Sequence, residues 1–415
     1  MKKNTWKYVL VALLGAAVIG ATLLISGTVS RDPHKESPPP ETAVSEEERE
    51  ESLSTEREVW TVVSETPEDS QEVTEEPESS LEETGDEPAA ETGESIVLRA
   101  PEAVINTSTT LYTYDMMQDD LRYLAAAYTH LVSLRSAGTT EDGRDLSYVI
   151  FGNPNAPRQI YICAATHARE YMTTQLVMRQ LAFYCTEYET GSYNGRSFRD
   201  IFENTCFYVE PMVNPDGVTI SQFGEAGLRR EDLRVNLQSI FRSDLAGGFA
   251  ETSDYAAYLV RWKANAVGVD INRNYSPGWE TVAERPVPSS TFFKGAAPGS
   301  ERETKAQMAI IESMTNPLAA ISYHSYGDLV YWQYGQPEPL WSENQALAQH
   351  ISNMTGQYLA GYSNEAGFSN WCVIEKHIKS VTVETGTVPA PLPLTQFAEL
   401  WEEHRYMWAM LATVY

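Results

Sequence analysis

Short apolar runs recur along this chain between longer segments that carry apolar residues every three or four positions. The runs at 146–150, 159–164, 206–209, 318–323 and 381–383 are apolar at successive positions, as strands covered on both faces are. The segments at 115–134, 171–184, 301–314, 341–358 and 397–411 have the spacing of helices with one face packed on a core. Alternation of the two patterns predicts an α/β domain built around a largely buried sheet. No internal repeat interrupts it.

The first hundred residues read differently. Lys2, Lys3 and Lys7 precede an uncharged stretch over 8–27, close to the ~20 residues a membrane-spanning helix needs. The small-residue site at its end is weak, so residues 1–30 read as an uncleaved signal anchor, with secretion after signal cleavage as the alternative. The lysines predict a cytoplasmic N-terminus and an extracytoplasmic remainder.

Residues 31–95 hold 23 Asp and Glu against 4 Lys and Arg, a balance of −19 out of −28 for the chain. Such a segment buries too little apolar surface to offset its ordering entropy, which predicts a disordered, self-repelling acidic stalk. It is either a spacer across a cell wall or a plain linker. The overall charge argues against nucleic acid as a partner. Residues 96–415 are long enough for one large core. Four cysteines are far too few for a disulfide scaffold; they fall near apolar elements and read as buried thiols, with one disulfide left open.

The candidate chemistry lies at the ends of predicted strands. His167 and Glu170 follow the run at 159–164, His324 follows 318–323, and Glu384 ends 381–383. With 7 histidines in the chain, the pattern is not a product of composition. Two imidazoles and a carboxylate with an open fourth position are the donor set of a catalytic zinc site. Strand carboxyl ends are where open α/β sheets bind ligands. Each residue alone also fits an ordinary surface or core role.

Six segments, in order, carry the weight: Glu141-Asp142-Gly143-Arg144, His167-Ala168-Arg169-Glu170, Asn214-Pro215-Asp216-Gly217, Gly268-Val269-Asp270-Ile271-Asn272-Arg273-Asn274, His324-Ser325-Tyr326 and Val383-Glu384-Thr385-Gly386. From about residue 139 onward the chain resembles the zinc carboxypeptidase family. The resemblance implies one domain with a mixed, mostly parallel twisted sheet of about eight strands between helices. It implies one Zn2+ held by His167, Glu170 and His324, and Glu384 as general base. Asn272 and Arg273 match the pair that binds a substrate's terminal carboxylate, which suits the planar fork of Arg. Arg169 and Tyr326 are expected at the substrate, Tyr362 matches the family's mobile tyrosine, and Ser369 the base of the side-chain pocket.

The chain departs from the pattern where the family has an arginine that polarises the carbonyl. Here the residue after Trp262 is Lys263, with Arg261 as competitor. Ser369 predicts neither a basic-residue enzyme nor a strict apolar one. The wording around Trp262 is similar to that of bacterial members, some of which cleave γ-D-glutamyl-diaminopimelate bonds of peptidoglycan stem peptides. The expectation is an extracellular carboxypeptidase acting on peptides, probing two alternatives: a stem-peptide hydrolase, and a zinc deacylase or amidase of related fold. A binding module that kept the fold would be expected to have lost a ligand or the base, and all four are present. The acidic stretch does not read as a folded inhibitory pro-domain, so a monomer active once zinc binds is expected.

Overall fold

The computed structural model describes Arg99, residues 104–282 and residues 285–415. The expected anchor and acidic stalk lie outside the described residues. Among the described residues no helix is long and apolar enough to cross a membrane.

In chain order the elements are α1 (Tyr114–Ala127), β1 (Val132–Thr139), β2 (Asp145–Phe151), β3 (Arg158–Ala164), α2 (Met172–Thr186), β4 (Ser192–Tyr193), β5 (Arg196–Ser197), α3 (Phe198–Phe202), β6 (Thr205–Glu210), α4 (Pro215–Phe223), α5 (Glu231–Gly247), α6 (Tyr255–Val260), α7 (Arg302–Ser313), β7 (Pro317–His324), β8 (Leu329–Tyr331), α8 (Leu340–Thr355), β9 (Tyr358–Leu359), α9 (Phe368–Ile374), β10 (Lys379–Glu384), α10 (Phe397–His404) and α11 (Met407–Val414). Eight strands form one sheet in the order β1-β2-β6-β3-β7-β10-β8-β9, and β4 pairs with β5 apart from it. β6, β3, β7 and β10 run parallel, as do β8 and β9, while β1–β2, β2–β6 and β10–β8 are antiparallel. This is the mixed, mostly parallel sheet between helices that the family resemblance implies.

Successive residues of the central strands feed two separate cores. Ile160, Ile162 and Ala164 of β3 join Ala319, Ile321 and Tyr323 of β7 on one face, packed with α1, α2, α8 and α11. Tyr161 and Cys163 of β3 and Ala320 of β7 join the other face, against α7 and α9. Strand side chains alternate across the sheet, and both faces are covered, so β3 and β6 are buried almost throughout. That is why these strands read as unbroken apolar runs.

Three expected helices need correction. The segment 115–134 is helical only as far as Ala127. Val132 and Leu134 belong instead to β1, paired with Phe151 and Val149 of β2, because a period-two pattern next to a tight turn finds its partner in a hairpin. The helix expected over 341–358 stops at Thr355, where Gly356 takes φ +83° and returns its N–H to the Ser352 carbonyl at 2.8 Å, a left-handed cap that glycine adopts cheaply. The segment 397–411 is two helices, broken at Arg405 and Tyr406.

Candidate metal and substrate site

Three parallel strands set the site. His324 and Glu384 end β7 and β10, and the two residues are register partners across that pair. β3 lies on the other side of β7, with Ala164 opposite Tyr323, so the turn that leaves β3 arrives beside His324. In that turn Ala168–Glu170 forms a 3-10 helix, and the Glu170 N–H donates to the His167 carbonyl at 3.1 Å. A 3-10 turn has three residues and eclipses side chains at i and i+3. His-x-x-Glu therefore presents both donors in one direction.

The donors converge. His167 Nδ1 lies 2.8 Å from Glu170 Oε1, His324 Nδ1 lies 3.1 Å from His167 Nδ1 and 3.1 Å from Glu170 Oε2. All three residues are buried and together could hold a metal ion. Tetrahedral zinc with bonds of ~2.0–2.1 Å needs donors roughly 3.3 Å apart, so the set fits the ion. Burial pushes the Glu170 pKa up, but the His167 and His324 imidazoles outweigh it and bring it down. Burial also presses His167 toward its neutral form; Glu170 and then Asp270 outweigh that and raise its pKa. Zinc binding must displace the proton so favoured.

A buried frame holds these donors. Asp270 Oδ1 lies 3.4 Å from His167 Nε2 and Oδ2 lies 3.5 Å from Lys263 Nζ. Burial raises the Asp270 pKa, yet Lys263, His167 and Arg273 more than reverse this and hold it well below the usual range. A carboxylate on the far nitrogen of a ligand imidazole fixes its tautomer and orientation. Asn214 caps α4 by accepting from the Gly217 N–H at 3.0 Å. Its Nδ2 donates to the carbonyls of Thr166 and Ala264, at 3.2 and 3.0 Å. A Cβ on Gly217 would lie 2.4 Å from the Ala264 carbonyl oxygen, so no larger residue fits without moving that junction. Arg144 pairs with Asp142 and Asp216 in a buried cluster, at 2.5 and 2.9 Å. Two of the six sequence motifs thus build the support for the site and do not enter it.

Beside Glu384 opens a small cleft lined among others by Asn272, Ser369, Thr382, Tyr334 and Glu365. Glu384 is 6 % exposed. The Ser369 hydroxyl lies 3.1 Å from Thr382 Oγ1 and accepts from Ser380 Oγ at 3.0 Å. Arg273 is buried, 2.9 Å from Glu365 Oε2, and Asn272 Oδ1 accepts from the Phe368 N–H at 3.1 Å. Tyr362 is 44 % exposed beside Gly335, and its neighbour Ser363 lines the cleft. Tyr326, next to Ser325, is half-buried against the larger core.

The other candidate cations, Lys263, Arg261 and Arg169, are not among the residues that line the cleft. Lys263 is fully buried, with Nζ also 4.5 Å from the Phe292 ring centre. Arg261, its competitor, is half-exposed and pairs with Glu251 at 2.9 Å. Arg169 is buried and donates to the Arg261 carbonyl at 3.3 Å. Sequence reasoning quotes Asp270 within a motif but misses its place behind His167. It also misses Thr382, two residues before Glu384 on the same face of β10, and Glu365 and Tyr334, which no spacing marks because they come from separate elements.

The described chain belongs to the zinc carboxypeptidase family, whose model matches residues 117–408. It is a zinc metallopeptidase by that membership. It is 26 % identical to carboxypeptidase B of Astacus astacus, over 71 % of this chain and 93 % of the relative. It is also 26 % identical to gamma-D-glutamyl-L-diamino acid endopeptidase 1 of Lysinibacillus sphaericus, over 70 % of each. Among solved structures it is similar to thrombin activatable fibrinolysis inhibitor, with TM-score 0.58, 17 % identity, and 75 % and 76 % of the two chains covered; that likeness speaks for the fold alone.

Proposed function

We propose that this chain hydrolyses the last peptide bond of extracellular peptides, with His167, Glu170 and His324 holding the zinc ion. When bound, zinc activates water and polarises the scissile carbonyl. Glu384 accepts the proton of the attacking water and passes it to the leaving amine. Arg273 and Asn272 bind the terminal carboxylate, Ser369 closes the pocket for the departing side chain, and Tyr362 covers it. Lys263 acts through Asp270 and His167, because its buried Nζ faces Asp270. The observation that carries this reading is the register of Glu384 beside His324, which sets a carboxylate next to the converging donors.

A second reading is cleavage of γ-D-glutamyl bonds to a diamino acid in wall stem peptides. The activity for which the Lysinibacillus relative is named and the polar lining of the cleft favour it. The uncharged run over 8–27 and the acidic stretch after it support a membrane-anchored location outside the cytoplasm. Protease accessibility on intact cells tests that location.

The deciding experiment incubates the zinc-loaded full chain with a peptide library and with stem peptides, read by mass spectrometry. Loss of single C-terminal residues establishes the first reading; release of diamino-acid fragments alone establishes the second. Glu384→Gln should lower kcat/KM by roughly 10²- to 10⁴-fold while zinc stays bound. Products from neither set would sink both readings.

A further inference from the structure

Two loops meet beside the cleft with almost no space between them. The turn after Asp270 carries Asn272 and Arg273, and the loop before α9 runs against it. Two hydrogen bonds fasten them. The Tyr275 N–H donates to the Ala366 carbonyl at 2.9 Å, and the Phe368 N–H donates to Asn272 Oδ1 at 3.1 Å. Gly367 lies between these fastenings and, with Asn272, lines the cleft. A Cβ on Gly367 would stand 2.6 Å from Asn272 Oδ1, 3.1 Å from Asn272 Cγ and 3.2 Å from the Asn272 carbonyl oxygen. The φ of Gly367 is −91°, which any residue adopts, so close contact and not backbone strain demands glycine here.

We propose that Gly367 is a positioning residue for the substrate's terminal carboxylate: having no side chain, it lets the loop before α9 close on Asn272 and fixes which end of that amide faces the cleft. This rests on the hydrolytic reading and on Asn272 as part of the carboxylate anchor.

A carboxamide has an acceptor end and a donor end. The Phe368 N–H engages the acceptor, Oδ1, which leaves Nδ2 as the end that can donate to a carboxylate in the cleft. The opposite flip would set Oδ1 against that carboxylate and repel it. A methyl group at position 367 would press on Oδ1 closer than van der Waals contact allows. The loop is fastened on both sides of the residue, so the cheapest relief is rotation of the Asn272 side chain. Rotation breaks the bond to Phe368 and lets the amide turn either way. The zinc donors stand on other elements, His167 and Glu170 in the turn after β3 and His324 at the end of β7. Gly367 therefore governs how the substrate is anchored, through Asn272, and leaves the metal donors in place.

A double-mutant cycle tests this. N-blocked peptides with a free terminal carboxylate are given to the zinc-loaded full chain, to Gly367→Ala, to Asn272→Ala and to the protein carrying both changes. Gly367→Ala should raise KM roughly tenfold and change kcat less, with zinc affinity, read by chelator competition, unchanged. Asn272→Ala should raise KM by a similar factor. In that background Gly367→Ala should add little, because the atom it presses on is gone. Additive losses would show that the methyl group only obstructs the cleft or disturbs the loop, and would overturn the proposal. So would an unchanged KM in either single variant. If Gly367→Ala does not fold, the double variant should, since the clash is relieved; failure of both overturns the proposal. If the wild type cleaves no peptide, the hydrolytic reading falls, and calorimetry of free norleucine against its methyl ester reads the same four proteins. A preference for the free carboxylate that each single variant weakens, and the double variant weakens no further, would still uphold the assignment; its absence would end it.

Discussion

His404 offers a clean test of how burial controls protonation in this fold. It ends α10, is fully buried, and packs edge-on against Tyr323, with ring centres 5.5 Å apart. Neither ring nitrogen has a hydrogen-bond partner among the described residues. Burial lowers its pKa from 6.5 to about 3. The unfolded chain takes up a proton below pH 6.5 and the folded chain does not, so stability is lost as pH falls from 6.5 toward 3. At pH 5 the unfolded state has gained about 1.5 pH units of protonation, and at about 1.36 kcal/mol per unit this amounts to about 2 kcal/mol. At pH 7.5 the loss is nearly zero. His404→Phe keeps a flat ring and removes the titration. Urea unfolding of both proteins at pH 7.5 and pH 5, followed by tryptophan fluorescence, isolates the effect, because every other titrating group is common to the two. The wild type should lose about 2 kcal/mol more than the variant between the two pH values. An equal loss in both, or a larger one in the variant, would mean that the folded protein accommodates the charged ring, and the desolvation reasoning would fail.

Asp270→Asn should weaken zinc binding roughly 10- to 100-fold, by loosening His167, without removing a ligand; competition with a chromogenic chelator reads this. Arg273→Gln should raise KM and lower kcat/KM by roughly 10- to 100-fold for peptides with a free terminal carboxylate, an effect that peptides amidated at the C-terminus should not share. The four cysteines are buried and free. Burial pushes Cys163 and Cys206 up to about 12, and Cys185 and Cys372 up as well. The native protein should therefore resist maleimide at pH 7, and four thiols should react only after unfolding.

Much of the fold was legible because the central strands are covered on both faces. β3, β6, β7 and β10 each show as an apolar run for that reason. β1 did not, since more than half of it is exposed or half-buried and its apolar residues merge with those of α1. β8 and β9 are too short to display a period. Within the site, His167, Glu170, His324 and Glu384 are visible because each follows a strand-like run. Glu365 and Thr382 were not. Thr382 stands two residues before Glu384 on the same face of β10, but nothing in its residue type marks it; the proximity of Glu365 to Glu384 depends on how the loop before α9 folds over β10, and no local pattern encodes that.

The pairing of His324 with Glu384 across β7 and β10 also has a consequence for folding. A slip of one residue between those strands would turn one of the two side chains to the opposite face of the sheet. It would also displace it by about 3.3 Å along the strand. No nearly correct register leaves a weakened site. Recovery of turnover during refolding should thus report, in one signal, that the middle of the sheet has closed in its native alignment, and an enzyme trapped in a shifted register should be silent, not merely slow.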